Sequence, residues 1–543
     1  MQLIKSWIVV VGLSLLAGLS VVSRVEAQAA DSSADRPNIL LIVADDLGYT
    51  DIGAFGSEIR TPNLDQLAFS GVRLTNFHAG PGCLETRAML MASSGDFLAI
   101  EPGEPSDIGV RSMRLKLNWA SLPELLQDAG YETYMTGKWD LGWDEGYTPA
   151  SRGFDRSFVQ LAALASHFAE PLFGDSSLYE LDGVRVPYEA LPEDFYSSSY
   201  YTDTMIEFLE DNGGRAPWFA YMPYTAPHLP LQVPEDWHGR YAGRYDTGYD
   251  ALRASRVARA TELGVIREGA TLADFEPIAR PWSELTEEEQ RRYARAHELY
   301  AAMVENLDLH VGRLIDYLEA SGQLDDTVIM FMSDHGASPG EYGHREPFFG
   351  EGGPQFIPDI VDNRFENWGH PNSMVDRGRG FAEAATAPLT GYKSSLHEGG
   401  LLGVAFVTYP ETVAQGAIDD TFVTAMDILP TFLDIAGFVH PGASDYRGRQ
   451  INDMRGRSFW PYLTGVSDTV HLESDTAGWS RNDGGAVIRD GFKVIKGRRP
   501  GATEPTQWQL YNLAEDPGER NDLAEVMPDL TAELVAEWET NWR

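Results

Sequence analysis

Unbroken apolar runs of strand length recur along the chain, and each ends in polar residues with chemical capacity. Pro37, Asn38, Ile39, Leu40, Leu41, Ile42 and Val43 run into Asp45, Asp46, Leu47 and Gly48. Thr327 to Met332 runs into Ser333, Asp334, His335 and Gly336, and Pro217 to Tyr221 leads through Pro223 and Pro227 to His228. Such a run predicts a strand buried on both faces, as in a parallel sheet covered by helices. Between the runs, Leu122 to Ala129 and the segment around Ala294 to Leu318 space their apolar residues by three and four, as amphipathic helices do. Strands alternating with helices predict an α/β fold with a mostly parallel, mixed sheet. From about Gly437 the texture changes to loops rich in Gly, Arg and Asp, followed by Ala486 to Ile495 with Asp490 and Gly491 at a hairpin turn. The expected organisation is a large α/β domain over 36–440 and a small C-terminal α+β domain with an antiparallel sheet over 441–543.

Ahead of these elements, Lys5 is followed by an uncharged apolar stretch from Trp7 to Val22 and then by Ala27, Gln28 and Ala29. The stretch is shorter than the ~20 residues of a membrane span and ends at a small-residue cleavage pattern. A signal peptide over residues 1–29 is therefore expected, with a periplasmic or secreted product and no stable membrane insertion after cleavage. Of 543 residues, 82 are acidic and 42 basic, a net charge of −40. That field repels nucleic acid and anionic membranes, which excludes both as partners. An anionic substrate has to be held by a local basic pocket or a bound cation. The single cysteine, Cys83, leaves no internal disulfide available.

Asp45, Asp46 and Asp334 offer hard oxygen ligands, a set that suits calcium or magnesium. One strand-end acidic pair is equally a turn or helix cap, but recurrence at two strand ends points to a shared site. His335 leans instead toward zinc or manganese, or serves as a hydrogen-bond donor to substrate. Cys83 lies where the Gly80, Pro81, Gly82 loop opens into a helix, whose N-terminus favours negative charge on a nucleophile or ligand. Arg87, one turn later, shares its face and can fork onto an oxyanion. Lys138, His228 and Lys393 sit in turn-like settings beside apolar segments and are candidate cations for the same pocket.

These residues, in this order, resemble the formylglycine-dependent sulfatases of the alkaline-phosphatase-like superfamily, and their bacterial arylsulfatase branch in particular. Its anchors are Pro37 to Gly48, Cys83 to Arg87, Gly130 to Gly142, Ala226 to His228, Ser333 to Gly336, Lys393 to Gly400 and Leu510 to Leu523. The resemblance implies a large mixed sheet between helices and a smaller C-terminal sheet. It implies a sulfuric ester hydrolase acting on an aryl, alkyl or sugar sulfate. Cys83 would be oxidised to formylglycine by a maturase partner; its hydrate attacks sulfur, and the remaining hydroxyl then expels sulfate. Asp45, Asp46, Asp334, His335 and the modified Cys83 would hold a divalent metal, usually Ca2+. Arg87 would steady the nucleophile, and Lys138, His228 and Lys393 would bind the sulfate oxygens and the departing oxygen.

The chain also departs from the family pattern. Glu85 replaces the usual Pro or Ala two residues after the cysteine, Ala92 and Ser93 alter the segment that follows, Asp140 replaces the histidine after Lys138 and Trp139, and His335 replaces the commoner Asn. Two further readings share the same residues: a pseudosulfatase that only binds a sulfated or anionic ligand, and a phosphate or phosphonate ester hydrolase on the same fold.

Overall fold

A computed structural model describes residues 36–105, 111–171, 179–267, 270, 275–344, 361–410, 412–481, 484–497 and 507–543. The expected signal peptide lies outside these residues. A ten-stranded mixed sheet organises the chain, in the spatial order Ala417–Asp419, Val72–Leu74, Ala405–Thr408, Thr327–Ser333, Asn38–Ala44, Trp218–Pro223, Glu132–Lys138, Arg156–Gln160, Tyr179–Leu181 and Val184–Val186. The strands from Thr327–Ser333 to Arg156–Gln160 are parallel to one another, and antiparallel strands flank them. The apolar runs read from the sequence are three of the central strands.

Asn38–Ala44 and Thr327–Ser333 are buried along their whole length, as continuous apolar runs require. Successive side chains point to opposite faces, so each strand feeds two cores. Ile39, Leu41, Val43 and Met330 enter one, while Leu40, Ile42, Ala44 and Phe331 enter the other. The second core is covered by the long helix Glu287–Ala320, which starts at a Thr286–Glu289 capping box and buries Leu299, Met303, Leu307, Val311 and Leu314. The first is covered by the helices Cys83–Ala92 and Leu122–Asp128.

The C-terminal residues form a four-stranded antiparallel sheet, Ala477–Arg481, Gly484–Arg489, Phe492–Lys496 and Gln509–Asn512, with the helix Pro528–Asn541 against it. Its turn residues Asp490 and Gly491 both have positive φ (48° and 75°), the conformation that keeps a two-residue hairpin in step with strand twist. Trp479, Val487, Val494 and Leu510 share the first core with the main sheet. Among the described residues, no helix is long and apolar enough to cross a membrane.

One position shows how tightly the central strands approach. Gly137 has φ +131°, and a Cβ there would lie 2.1 Å from the Pro223 carbonyl oxygen on the neighbouring strand. We expect Gly137→Ala to lower the unfolding free energy by about 3 kcal/mol or more in a urea titration, through backbone strain and overlap together. Gly146, also at positive φ but with nothing within 4 Å of a Cβ, is the control, and Gly146→Ala is expected to cost about 1 kcal/mol.

Candidate active site

The strand register brings the chemistry together. Val43 pairs with Met332 on one side and Pro223 on the other, and Tyr221 pairs with Met135. Asp45, Asp46, Asp334, His335, Lys138 and the loop to His228 therefore emerge at one edge, the carboxyl end of the parallel strands, where open α/β sheets place their ligands. Helix Cys83–Ala92 points its N-terminus at that edge, and all of its residues except Leu84 are buried. Thr86 fixes the helix by donating from Oγ1 to the Asp334 carbonyl while accepting from the Gly80 N–H at 2.7 Å. Lys393 arrives on the loop before His397, which packs so closely that a Cβ on Gly336 would lie 1.9 Å from the Gly399 carbonyl oxygen.

All the residues singled out from the sequence converge here. Cys83 Sγ lies 3.2 Å from His335 Nε2, 3.4 Å from Asp45 Oδ1 and 3.4 Å from Lys393 Nζ. Arg87 donates to Asp45 Oδ2 at 3.1 Å and to Asp334 Oδ2 at 3.3 Å, and Lys138 Nζ reaches Asp45 Oδ2 at 2.5 Å. Lys393 Nζ donates to Asp46 Oδ1 at 2.6 Å, and His228 Nε2 lies 3.7 Å from Asp46 Oδ2. The cations fall into two tiers. Arg87 and Lys138 have no exposed side-chain surface and sit on the interior side of Asp45, whereas Lys393 is 18% exposed and faces the mouth. His228 and His335 each place Nδ1 on a backbone carbonyl, of Leu229 and Gly336 at 2.7 and 2.8 Å, which leaves Nε2 of both rings aimed into the site.

The charges set one another's protonation. Burial pushes the Asp45 carboxyl up, but Lys138, His228 and Arg87 outweigh it and hold the group well below the ordinary carboxylate range. Asp334 moves the other way, to about 7, because burial and the neighbouring Asp45 charge both oppose its ionisation. His335 rises to about 9 against its own burial, chiefly through Asp334. The Cys83 thiol is lowered overall: burial and Asp45 raise it, while Lys138, Lys393 and His335 prevail.

The donor set fits a divalent cation. Asp45, Cys83, Asp334 and His335 each offer an atom within 4.8 Å of the others, and Asp45, Asp46 and His228 form an overlapping set. Asp46 Oδ2 is buried with no hydrogen-bond partner, and the raised Asp334 carboxyl is what crowded carboxylates show when a further positive charge would be accepted. Oxygen-rich ligation favours a hard ion, with His335 the softer member.

Further residues support the site without any local motif to announce them. Asp46 has φ 69°, and its carbonyl accepts from Arg377 at 3.2 Å and Tyr300 at 3.4 Å. Both donors are anchored on Asp51, whose Oδ2 receives Arg377 at 2.8 Å, Tyr300 at 2.7 Å and the Gly48 N–H at 2.8 Å, while Oδ1 pairs with Arg256. His167 bridges Ser197 Oγ at 2.7 Å and the His228 carbonyl at 3.0 Å. Three of the residues that depart from the family pattern, Glu85, Asp140 and His335, also lie here. Asp140, at φ 56°, is close enough to Lys138, Arg87, Asp45 and Glu85 to feel each charge, and burial raises its carboxyl. Glu85 pairs with Arg481 of the C-terminal sheet at 2.8 Å.

Comparison with known proteins agrees with this geometry. The sulfatase family profile matches residues 37–438. The chain is 39% identical to an uncharacterized sulfatase of Schizosaccharomyces pombe, with 93% of each chain covered. It is 35% identical to an arylsulfatase of Klebsiella aerogenes over 78% of this chain and 91% of that one. Among solved structures, Ps i-CgsB in complex with k-i-k-neocarrahexaose superposes with a TM-score of 0.63 at 24% identity, covering 93% of both chains, a likeness of fold.

Asp51→Ala leaves Arg377 buried without its paired carboxylate and Arg256 with Glu58 alone, so we expect a loss of about 3–5 kcal/mol in a chemical unfolding titration at pH 7. Burial raises the Asp51 carboxyl, but Arg377 and Arg256 hold it well below its ordinary value of 3.8. The stabilisation is therefore complete above about pH 4 and is lost only as pH falls further. His167 acts with the same sign in a higher pH window. Burial lowers its folded value from 6.5 to about 4, so the unfolded chain takes up the proton first. Its contribution falls as pH drops from 6.5 to 4, and His167→Gln is expected to flatten that part of the stability profile.

Proposed function

The chain belongs to the sulfatase family, whose members are sulfuric ester hydrolases, and from that premise we propose that it hydrolyses sulfate monoesters of aromatic or similarly apolar alcohols through a formylglycine made from Cys83. The observation that carries the proposal is the convergence of Cys83 with Asp45, His335 and Lys393, all within 3.4 Å of its sulfur. In this reading Asp45, Asp46, Asp334 and His335 hold a divalent metal, Ca2+ by the hardness of the oxygen set. When bound, the ion polarises a sulfate oxygen.

The chain's own residues carry the rest. Arg87, fixed by Asp45, Asp334 and the Lys138 carbonyl (2.5 Å), steadies the oxygens of the modified side chain at position 83. Lys138 keeps Asp45 ionised from below. Lys393 and His228, at the mouth, receive the sulfate oxygens and the departing oxygen, where positive charge is worth most as negative charge develops. The helix N-terminus behind Cys83 adds its dipole in the same sense. Together these groups are the local basic pocket that a chain of net charge −40 needs to hold an anion.

Two features support an apolar leaving group. Leu229, directly after His228, packs with Met374 and the partly buried Leu164, Tyr342 and Val361, an apolar cluster beside the loop that carries His228, next to which an apolar leaving group would be favoured. The 35% identical relative is itself an arylsulfatase. Export before use, directed by the segment ending at Ala29, and conversion of Cys83 by a formylglycine-generating maturase complete the proposal.

The test is steady-state hydrolysis of 4-nitrophenyl sulfate by protein matured with a formylglycine-generating enzyme, beside 4-nitrophenyl phosphate and a monosulfated sugar. We expect kcat/KM to be highest for the aryl sulfate. Arg87→Ala is expected to lower kcat about a hundredfold or more, as loss of one preorganised donor does. Faster turnover of the phosphate, or equal turnover by Arg87→Ala, would overturn the assignment.

A further inference from the structure

Glu85 stands two residues after Cys83, in a position where an anion next to an anion-binding pocket needs compensation. Its side chain is 8% exposed, and Oε1 receives Arg481 Nη1 at 2.8 Å. Arg481 ends the first strand of the C-terminal sheet, Ala477–Arg481, and its Nη2 donates to Ser394 Oγ at 2.9 Å. Ser394, the neighbour of Lys393, in turn donates its N–H to the Pro81 carbonyl at 2.8 Å. A single guanidinium therefore joins the helix that carries Cys83 to the loop that carries Lys393. The pair lies against the residue preceding Cys83: a Cβ on Gly82 would sit 2.8 Å from Glu85 Oε2 and 3.4 Å from Arg481 Nη1.

The surroundings make this cation consequential. Asp140 and Asp96 both feel the Glu85 charge, and Asp96 accepts the Ser480 N–H at 2.9 Å immediately before Arg481. Without Arg481, Glu85 would lose its paired cation beside two further carboxyl groups, Asp96 and Asp140. Coulomb repulsion from an unpaired, poorly hydrated carboxylate is felt several ångströms away.

We propose that the Glu85–Arg481 pair sets the anion affinity of the pocket, with Arg481 of the C-terminal sheet cancelling Glu85 beside the Cys83 helix while clasping the Lys393 loop. Arg481 is in this sense a positioning and charge-balancing residue, and the C-terminal sheet contributes directly to the site. The inference rests on the sulfatase reading only in taking sulfate as the anion.

The experiment is calorimetric titration of inorganic sulfate into the full chain and the variants Arg481→Gln, Glu85→Gln and the double substitution, with thermal melts to check folding. Arg481→Gln is expected to weaken sulfate about tenfold by exposing the Glu85 charge. Glu85→Gln is expected to tighten it about threefold, since it frees the guanidinium. The double variant should return to within about threefold of the unaltered chain. Equal dissociation constants throughout overturn the proposal, as does a loss in Arg481→Gln that the second substitution fails to repair. Sulfate binding by none of the proteins also overturns it. If Arg481→Gln does not fold, the tightening by Glu85→Gln decides alone. Hydrolysis of 4-nitrophenyl sulfate by the unaltered chain is scored separately. Shifts in sulfate affinity without hydrolysis would sink the sulfatase reading and leave the pair standing.

Discussion

Carboxylates taken out of water govern this structure. Asp45, Asp46, Asp51 and Asp334 are each no more than 1% exposed, and an ionised carboxylate in such a place costs several kcal/mol unless cations and hydrogen bonds accompany it. The fold supplies the partners from distant parts of the chain. Arg87 comes from the helix after Gly82, Lys138 from a neighbouring strand end, Lys393 from a loop, and Arg256 and Arg377 from the layer covering the second core. Each cation satisfies a buried acid, and in doing so brings a second element to the edge of the sheet. The pocket is thus the place where the fold's most expensive burials meet the cations that offset them.

The same requirement ties the C-terminal sheet to the carboxyl edge of the main sheet. Lys493, on its third strand and fully buried, pairs with Glu398 and Glu519 at 2.9 and 2.8 Å, and Glu398 also meets His78 at 3.1 Å. Glu398 lies just beyond the loop that carries Lys393. Burial and Glu398 oppose ionisation of Glu519 and raise it to about 7 even beside Lys493, which shows how finely the charges balance. With Arg481 on Glu85 and Ser394, the sheet holds the Lys393 loop at both ends. Trp479 adds a bond from Nε1 to the Ala79 carbonyl at 2.9 Å, at the entry to the Cys83 helix. Shape and charge thus make the last strands of the chain part of the pocket's wall.

Much of this was legible in the sequence, for a definite reason. A strand buried on both faces must be continuously apolar, so Ile39 to Val43 and Val328 to Met332 could hardly be anything else, and the polar residues after them had to lie at a sheet edge. Asp490 and Gly491 announced their hairpin because few other residues accept positive φ at both turn positions. Cys83, Arg87, Lys138, His228 and Lys393 were found through their motifs. Asp51, Tyr300, Arg377 and His167 were not, because their roles arise only when segments up to 331 residues apart meet, and no spacing along the chain encodes that meeting. Glu85 illustrates the difference. In the sequence it is an unexplained acid two residues after Cys83, and its compensation by Arg481 is visible only in three dimensions.

The central claim is that Cys83 serves not as a thiol but as the formylglycine at the heart of this charged pocket. Peptide mass spectrometry across Cys83, on protein recovered from a host that supplies the maturase and shown to be active, tests it most directly. The account predicts a peptide lighter by ~18 Da, the loss expected when the side-chain thiol becomes an aldehyde. An active protein in which Cys83 remains an intact thiol throughout would contradict it.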